Sequence, residues 1–268
     1  MKSNFILKIF LVLIPITSLI LAFTLAILFS QSNNSKDIKQ SISSTINFSS
    51  ITVSPLVSFS STTIQIQNTL IPITVYKQKY ALSCEAAAAS SALRALGYQV
   101  TEDQFLNNLE YDNTPRTTDS TGKIAWGNPY KAFIGDYKGI FHKTGYGIYA
   151  PAISANVKKY GAQSDSYLNM NFENLLTEIS KGKLAVVWVP TRFEIQETKY
   201  WYTPDGIQIP WIDHEHAMVM YGFDRQKNEI LLMDVATGTY MQKSFTEFQR
   251  GWSYLGNQAV TVYNSIGQ

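Results

Sequence analysis

The hydrophobic period changes partway along this chain, and the change limits the folds that the chain can adopt. Apolar residues recur at helical spacing up to residue 181, where Gly182 marks a helix end. After that point, short runs rich in Val, Ile, Leu and aromatic residues predict β-strands. The predicted strands cover residues 184–189, 216–223, 229–233 and 259–263. Helices followed by strands predict an α+β domain, with N-terminal helices packed on an antiparallel sheet.

Local start signals place the predicted helices. Ser83 can cap a helix whose end is marked by Gly97, and Thr101 with Gln104 forms a capping-box pattern. Between the second and third helices, residues 111–149 are rich in Gly, Thr, Asp and aromatic residues. A long irregular segment of this kind is often functional. The predicted helices cover residues 84–96, a short segment after Thr101, 151–161, 171–181 and a short segment after Ser244.

Residues 1–30 are predicted to anchor the chain in a membrane. The segment from Ile9 to Phe29 carries no charge, and a helix of roughly 20 such residues spans a bilayer. Both lysines of this region precede the span and the next cation is Lys36, so the positive-inside rule places the C-terminal part outside the cytoplasm. A signal peptide cleaved near residues 30–32 is one alternative and would give a secreted protein. A buried core helix is the other.

The segment after the predicted anchor differs in composition from the rest of the chain. Residues 31–70 are dominated by Ser, Thr, Asn, Ile and Gln, which predicts a polar stalk with a β-prone stretch near 64–71. The aromatic residues are concentrated after residue 76. We therefore expect one folded domain over residues 71–268.

Composition excludes some classes of function. The net charge is +2 and no basic stripe with interleaved aromatics occurs, so nucleic acid is not an expected partner. No nucleotide-binding motif is present, and we expect no cofactor. Cys84 is the only cysteine, so the chain cannot form an internal disulfide and must be stabilised by an ordinary core. The sequence does not indicate an oligomeric state.

Cys84 stands where an extended segment turns into an alanine-rich helix. A helix N-terminus stabilises a thiolate, which makes this thiol a candidate nucleophile. Glu85 follows it, and its charge favours the helix start but opposes the thiolate. The alternative is that Cys84 is a small buried residue, which is the usual role of a free cysteine.

A thiolate nucleophile needs an imidazole beside it, and the imidazole needs an orienting acceptor. Of the three histidines, His216 directly precedes an apolar strand, whereas His214 is more solvated and His142 has a surface or packing role. Asp234 ends the next strand across a tight turn, so it can lie beside His216. The alternative for Asp234 is a turn residue that caps the following loop.

Gln78 lies six residues before the cysteine. Its side-chain amide can join the backbone N–H of Cys84 in an oxyanion hole. The alternative is a solvent-exposed glutamine in a strand. The order Cys, then His about 130 residues later, then Asp or Asn is that of papain-like peptidases.

Several motifs together resemble the peptidase-like branch of the double-glycine-leader cysteine peptidases, a family related to the bacteriocin-processing domains of export transporters. The resemblance covers roughly residues 73–263. It is carried by Gln78-x5-Cys84-Glu85-Ala86-Ala87, Trp126-Gly127-Asn128-Pro129, the segment from Gly145 to Pro151, Glu215-His216-Ala217-Met218-Val219, and Met233-Asp234 with Gly238.

The resemblance implies a papain-like fold and a peptide or protein substrate. It implies that Cys84 is the nucleophile, His216 the general base and acid, Asp234 the orienting residue and Gln78 the oxyanion donor. The chain has no transporter motif, so the leader-peptide substrate does not carry over. Val235 stands where the family commonly has proline, which affects the shape of the turn alone.

Two other functions compete with amide hydrolysis. A zinc site can be formed from the ligand types in Asp213, His214, Glu215, His216 and Asp234, but it leaves Cys84 and Gln78 unexplained. We therefore expect no metal. The second alternative is a catalytically silent binding module, because a fold does not fix an activity.

Overall fold

The computed structural model describes residues 66–265 of the chain. The predicted anchor over residues 1–30, with its span at 9–29, and residues 31–65 of the predicted stalk lie outside the described residues. Within residues 66–265, no helix is both long and apolar enough to cross a membrane. The fold described below is therefore that of the predicted globular domain.

Seven strands form one sheet, and all of its strand pairs are antiparallel, as the sequence predicts. At its centre, β7 (Leu184–Pro190) pairs with β10 (Glu215–Asp224), which pairs in turn with β11 (Glu229–Asp234). The remaining strands of this sheet are β1 (Asn68–Leu70), β6 (Gln163–Tyr167), β12 (Thr239–Ser244) and β13 (Ala259–Tyr263). Their order is β12-β11-β10-β7-β13-β6, with β1 also paired to β10. The sheet thus includes residues 68–70, just before the predicted domain start.

The helices lie where the sequence predicts them. They are α1 (Cys84–Ala95), α2 (Glu102–Asn107), α3 (Ala150–Lys158), α4 (Phe172–Ser180) and α5 (Phe245–Ser253). The capping box predicted at Thr101 forms at the start of α2, and a second capping box forms at Ser244 for α5. The predicted cap of α1 is wrong: the Ser83 hydroxyl makes no helix-capping bond and instead binds the Glu102 carboxyl and the carbonyl of Tyr80.

Helices cover both faces of the large sheet. On one face, the alanines of α1 pack with Val186, Trp188, Ala217 and Val219. Small side chains let the helix lie close to the strands. On the other face, the apolar sides of α4 and α5 pack with alternate residues of the same strands. Because both faces are buried, β7 is buried along its whole length and is a continuous apolar run in the sequence.

The irregular stretch 111–149 contributes two small sheets. Strand β2 (Tyr111–Asp112) pairs with β5 (Phe133–Ile134), and β3 (Thr117–Thr118) pairs with β4 (Ile124–Ala125). The latter pair continues into β8 (Lys199–Tyr202) and β9 (Gln208–Trp211). The sequence did not predict these strands, because strands of two to four residues are too short to show a period.

His142 lies among the aromatic side chains that join these small sheets. Its ring stacks on Trp211 with the centroids 3.5 Å apart, and Trp126, Tyr146 and Trp201 surround it. Burial lowers the pKa of His142 to about 4, so the ring is neutral at physiological pH. The structure thus shows that His142 has a packing role, which is one of the two roles predicted from the sequence.

Candidate active site

His216 and Asp234 are joined by a hydrogen bond between neighbouring strands. The register of β10 and β11 pairs Met218 with Asp234, which places the carboxylate near the start of β10. The distance from His216 Nε2 to Asp234 Oδ1 is 2.7 Å, and both side chains are buried. This bond uses Nε2, so Nδ1 is the ring nitrogen left for a thiol or a substrate.

Asp234 is held in its charged form. Burial alone would raise its pKa, but the hydrogen bond and charge of His216, with bonds from the Thr237 hydroxyl and the Ala236 N–H, keep that pKa below its ordinary value. The carboxylate is therefore fixed by three donors. A fixed, ionised acceptor of this kind orients an imidazole and stabilises the imidazolium.

Cys84 lies at the first position of α1, against the strand that carries His216. Cys84 is 7% exposed, and the backbone N–H of Ala217 acts to lower the pKa of its thiol. Ala217 directly follows His216 in the chain. The packing of α1 on β10 thus places Cys84 beside the backbone that follows His216, while no hydrogen bond joins the Cys84 sulfur to the His216 ring among the described residues.

The thiol itself points to a carboxyl group. Cys84 Sγ donates to Glu85 Oε2 at 3.2 Å. Burial, followed by the charges of Glu85 and Glu215, raises the pKa of Cys84 well above its ordinary value. The helix start favours the thiolate, whereas burial and the two acidic neighbours oppose it.

Gln78 is positioned by the turn that follows Asp234. Its backbone N–H donates to the carbonyl of Val235 at 2.8 Å, and Gly238 in the same turn lies against Lys77. The side-chain Nε2 donates to the carbonyl of Tyr80 at 2.8 Å. Gln78 is therefore tied both to the turn after Asp234 and to the segment that leads into Cys84.

The residues of the alternative zinc site do not converge among the described residues. Asp213 is exposed and paired with Lys199, and His214 is exposed in the turn before β10. Between residues 66 and 265, the one cluster of three His, Cys, Asp or Glu side chains is Cys84, Glu85 and Glu215, with one atom of each lying within 4.8 Å of the others. A site built on His214, His216 and Asp234 therefore has no geometric support.

Glu215 lies near Cys84, which the sequence did not predict. It is 8% exposed and lies at the first position of β10. Strand alternation could have indicated its position, because residues 215 and 217 share one face of β10 and Ala217 packs against α1. Burial, together with the charge of Glu85, raises the pKa of Glu215 well above its ordinary value.

Comparison with known proteins assigns the chain to a class. Residues 70–260 match the model of the peptidase C39-like family, and the chain belongs to that family. This match confirms the resemblance seen in the sequence motifs. No functionally curated protein has a significantly similar sequence.

One solved structure of this class shares the fold, and two others are similar over part of it. A C39-like peptidase structure from Bacillus anthracis is 19% identical, with a TM-score of 0.63 over 75% of this chain and 99% of that one. The peptidase domain of Streptococcus ComA, a bifunctional ABC transporter, is 15% identical, with a TM-score of 0.43 over 72% of this chain and 100% of that one. A double glycine motif protease solved with its leader peptide is 15% identical, with a TM-score of 0.40 over 75% of this chain and 100% of that one. The family match and the first of these structures show that the α+β fold with an antiparallel sheet is the C39 papain-like fold.

Proposed function

We propose that this protein is a membrane-anchored, extracytoplasmic cysteine peptidase that hydrolyses amide bonds in a peptide or protein. The observation that carries the proposal is the buried hydrogen bond of 2.7 Å between His216 and Asp234, on the strand against which Cys84 packs. Membership of the C39-like family supports the same assignment. Cys84, His216 and Asp234 are the residues that we assign to the triad.

The reaction uses each residue in a defined step. His216 Nδ1 takes the proton of the Cys84 thiol, and the sulfur attacks the amide carbonyl. The backbone N–H of Cys84 and the side-chain amide of Gln78 stabilise the oxyanion, for which the Gln78 amide must leave the carbonyl of Tyr80. His216 then gives its proton to the leaving amine, and water hydrolyses the thioester.

The location is part of the proposal. Residues 9–29 form the membrane span, and the positions of the lysines orient the domain outward. Cleavage near residues 30–32 would release the same domain as a secreted protein. Fractionation of cells that express the full chain, followed by protease treatment of intact cells, distinguishes the two forms, since only an outward-facing anchored domain is both membrane-bound and protease-accessible.

The activity is tested with a complex peptide mixture, because the substrate is unidentified. We expect the full-length protein to generate new peptide termini that mass spectrometry detects, and we expect Cys84→Ala to generate none. Ser90→Ala is the matched control, because Ser90 is buried on the same helix and, among the described residues, its hydroxyl bonds only the carbonyl of Ala87. No cleavage by the wild type at any pH would contradict the proposal and favour the silent binding module.

A further inference from the structure

The Cys84 thiol shares its pocket with two carboxyl groups that the proposed triad does not use. Glu85 and Glu215 are both buried, and one oxygen of each and the cysteine sulfur all lie within 4.8 Å of one another. Among residues 66–265, neither carboxyl forms an ion pair with a basic side chain. Two buried carboxylates without a cation are costly to keep ionised together.

Glu85 is fixed in place by the backbone. Its Oε1 accepts a hydrogen bond of 2.8 Å from the N–H of Ile148. The close approach depends on Gly147, because a Cβ at that position would clash with Glu85 Oε1. The other oxygen, Oε2, is left to accept from the thiol of Cys84.

Glu215 has no such support. Its Oε1 is buried and has no hydrogen-bond partner within the described part of the chain. The neighbouring tyrosines do not donate a hydrogen bond to Glu215. The hydroxyls of Tyr146 and Tyr149 bond each other, and the Tyr149 hydroxyl also bonds the carbonyl of Pro210. The pKa of each tyrosine is raised by burial, so both stay neutral. A proton on the carboxyl pair is therefore the simplest way to balance the charge here.

We propose that Glu85 and Glu215 are positioning residues that share one proton and hold the Cys84 thiol protonated and hydrogen-bonded to Glu85 in the resting protein. Adjacent carboxyls of this kind titrate as a pair. This proposal deepens the proposed peptidase function and rests on it for the catalytic consequence alone. The arrangement itself requires no peptidase activity.

The consequence is an activation step before the attack on the amide. Rotation about the Cys84 Cα–Cβ bond breaks the hydrogen bond from sulfur to Glu85 Oε2. His216 Nδ1 then accepts the proton: the S–H bond breaks, an N–H bond forms, and the electron pair stays on sulfur. The shared proton stays on the carboxyl pair, so the number of protons in the site does not change.

The test is the pH profile of Cys84 alkylation by iodoacetamide in the full-length protein, with a metal chelator in every buffer. The alkylation rate is proportional to the fraction of Cys84 that is present as the thiolate. A pair of carboxyls that shares one proton carries one negative charge, and the double variant Glu85→Gln/Glu215→Gln removes that charge. A neighbouring charge changes the pKa of an acid by about one to three pH units, so the midpoint should fall by that amount in the double variant. At any pH below both midpoints, alkylation should become about tenfold faster for each pH unit by which the midpoint falls.

Glu102→Gln is the matched control. Glu102 is also buried and accepts from the Ser83 hydroxyl and the Lys79 N–H, but it lies outside the carboxyl pair. We expect its profile to match that of the wild type. A folded double variant with an unchanged midpoint would overturn the proposal. If the double variant does not fold, infrared spectra of the wild type at neutral pH decide the matter, because a shared proton gives the carbonyl stretch of a buried carboxylic acid and its absence contradicts the proposal.

This experiment separates the inference from the proposed function. If the protein has no peptidase activity, the lower midpoint in Glu85→Gln/Glu215→Gln still appears, since alkylation needs only the thiol and its neighbours. If the protein cleaves peptides but the midpoint is unchanged in the double variant, the peptidase function stands and the role of the carboxyl pair is wrong.

Discussion

Replacing His216 with alanine is expected to lower the rate of peptide cleavage by about 10²–10⁴-fold, the usual contribution of a general acid and base. His216 is the group that we expect to take the thiol proton, and the same group returns a proton to the leaving amine. The pKa of Cys84 is raised by burial and by its acidic neighbours, so the thiol does not ionise unaided at neutral pH. Initial rates on a cleaved peptide, compared between variant and wild type, measure the effect.

His214→Ala is the control for this prediction. His214 is two residues away but exposed, and it has no contact with Asp234 among the described residues. We expect its cleavage rate to stay within about twofold of the wild type, as for a surface substitution away from the site. Equal loss of activity in His214→Ala and His216→Ala, or loss in neither, would contradict the assignment of the base.

The second large effect is expected at Asp234, where two substitutions should differ. Asp234→Ala removes the acceptor from His216 Nε2 and leaves the ring free to rotate, so we expect a loss of about 10²–10³-fold, within the range for acid–base catalysis. Asp234→Asn keeps an oxygen that can accept from Nε2 and from the Ala236 N–H. Papain-like peptidases use asparagine in this role, so we expect most of the activity to remain.

The kcat of the two variants on one peptide, measured across pH, tests this difference. The reason for it is orientation rather than charge, so the asparagine variant should keep the shape of the pH profile. An asparagine variant as inactive as the alanine variant would mean that the negative charge, and not the position of the ring, is what His216 requires. Thermal melting of both variants checks that each protein is folded.

The sequence predicted the architecture because each element carries its own local signal. The alanines after Cys84 predict a helix, and the turn between residues 223 and 229 predicts the hairpin that brings His216 and Asp234 together. These are short-range patterns of capping, period and turn chemistry. The motif resemblance then supplied the papain-like fold, which hydrophobic period alone does not specify.

The environment of the thiol could not be predicted in the same way. Whether a helix start favours a thiolate depends on burial and on charges that are distant in sequence. Glu215 lies 131 positions after Cys84 (215 − 84), and the Ile148 N–H that fixes Glu85 comes from the irregular stretch. Such contacts depend on tertiary packing, which leaves no period in the sequence.

The most direct measurement of the central claim is the mass of the protein during turnover. The wild type is mixed with a peptide that it cleaves, quenched in acid within the first turnovers, and mapped by mass spectrometry. We expect the N-terminal fragment of the cleaved peptide to be attached to Cys84 as a thioester, which hydroxylamine removes. Cleavage that proceeds with no adduct on Cys84, and that persists in Cys84→Ala, would contradict the account.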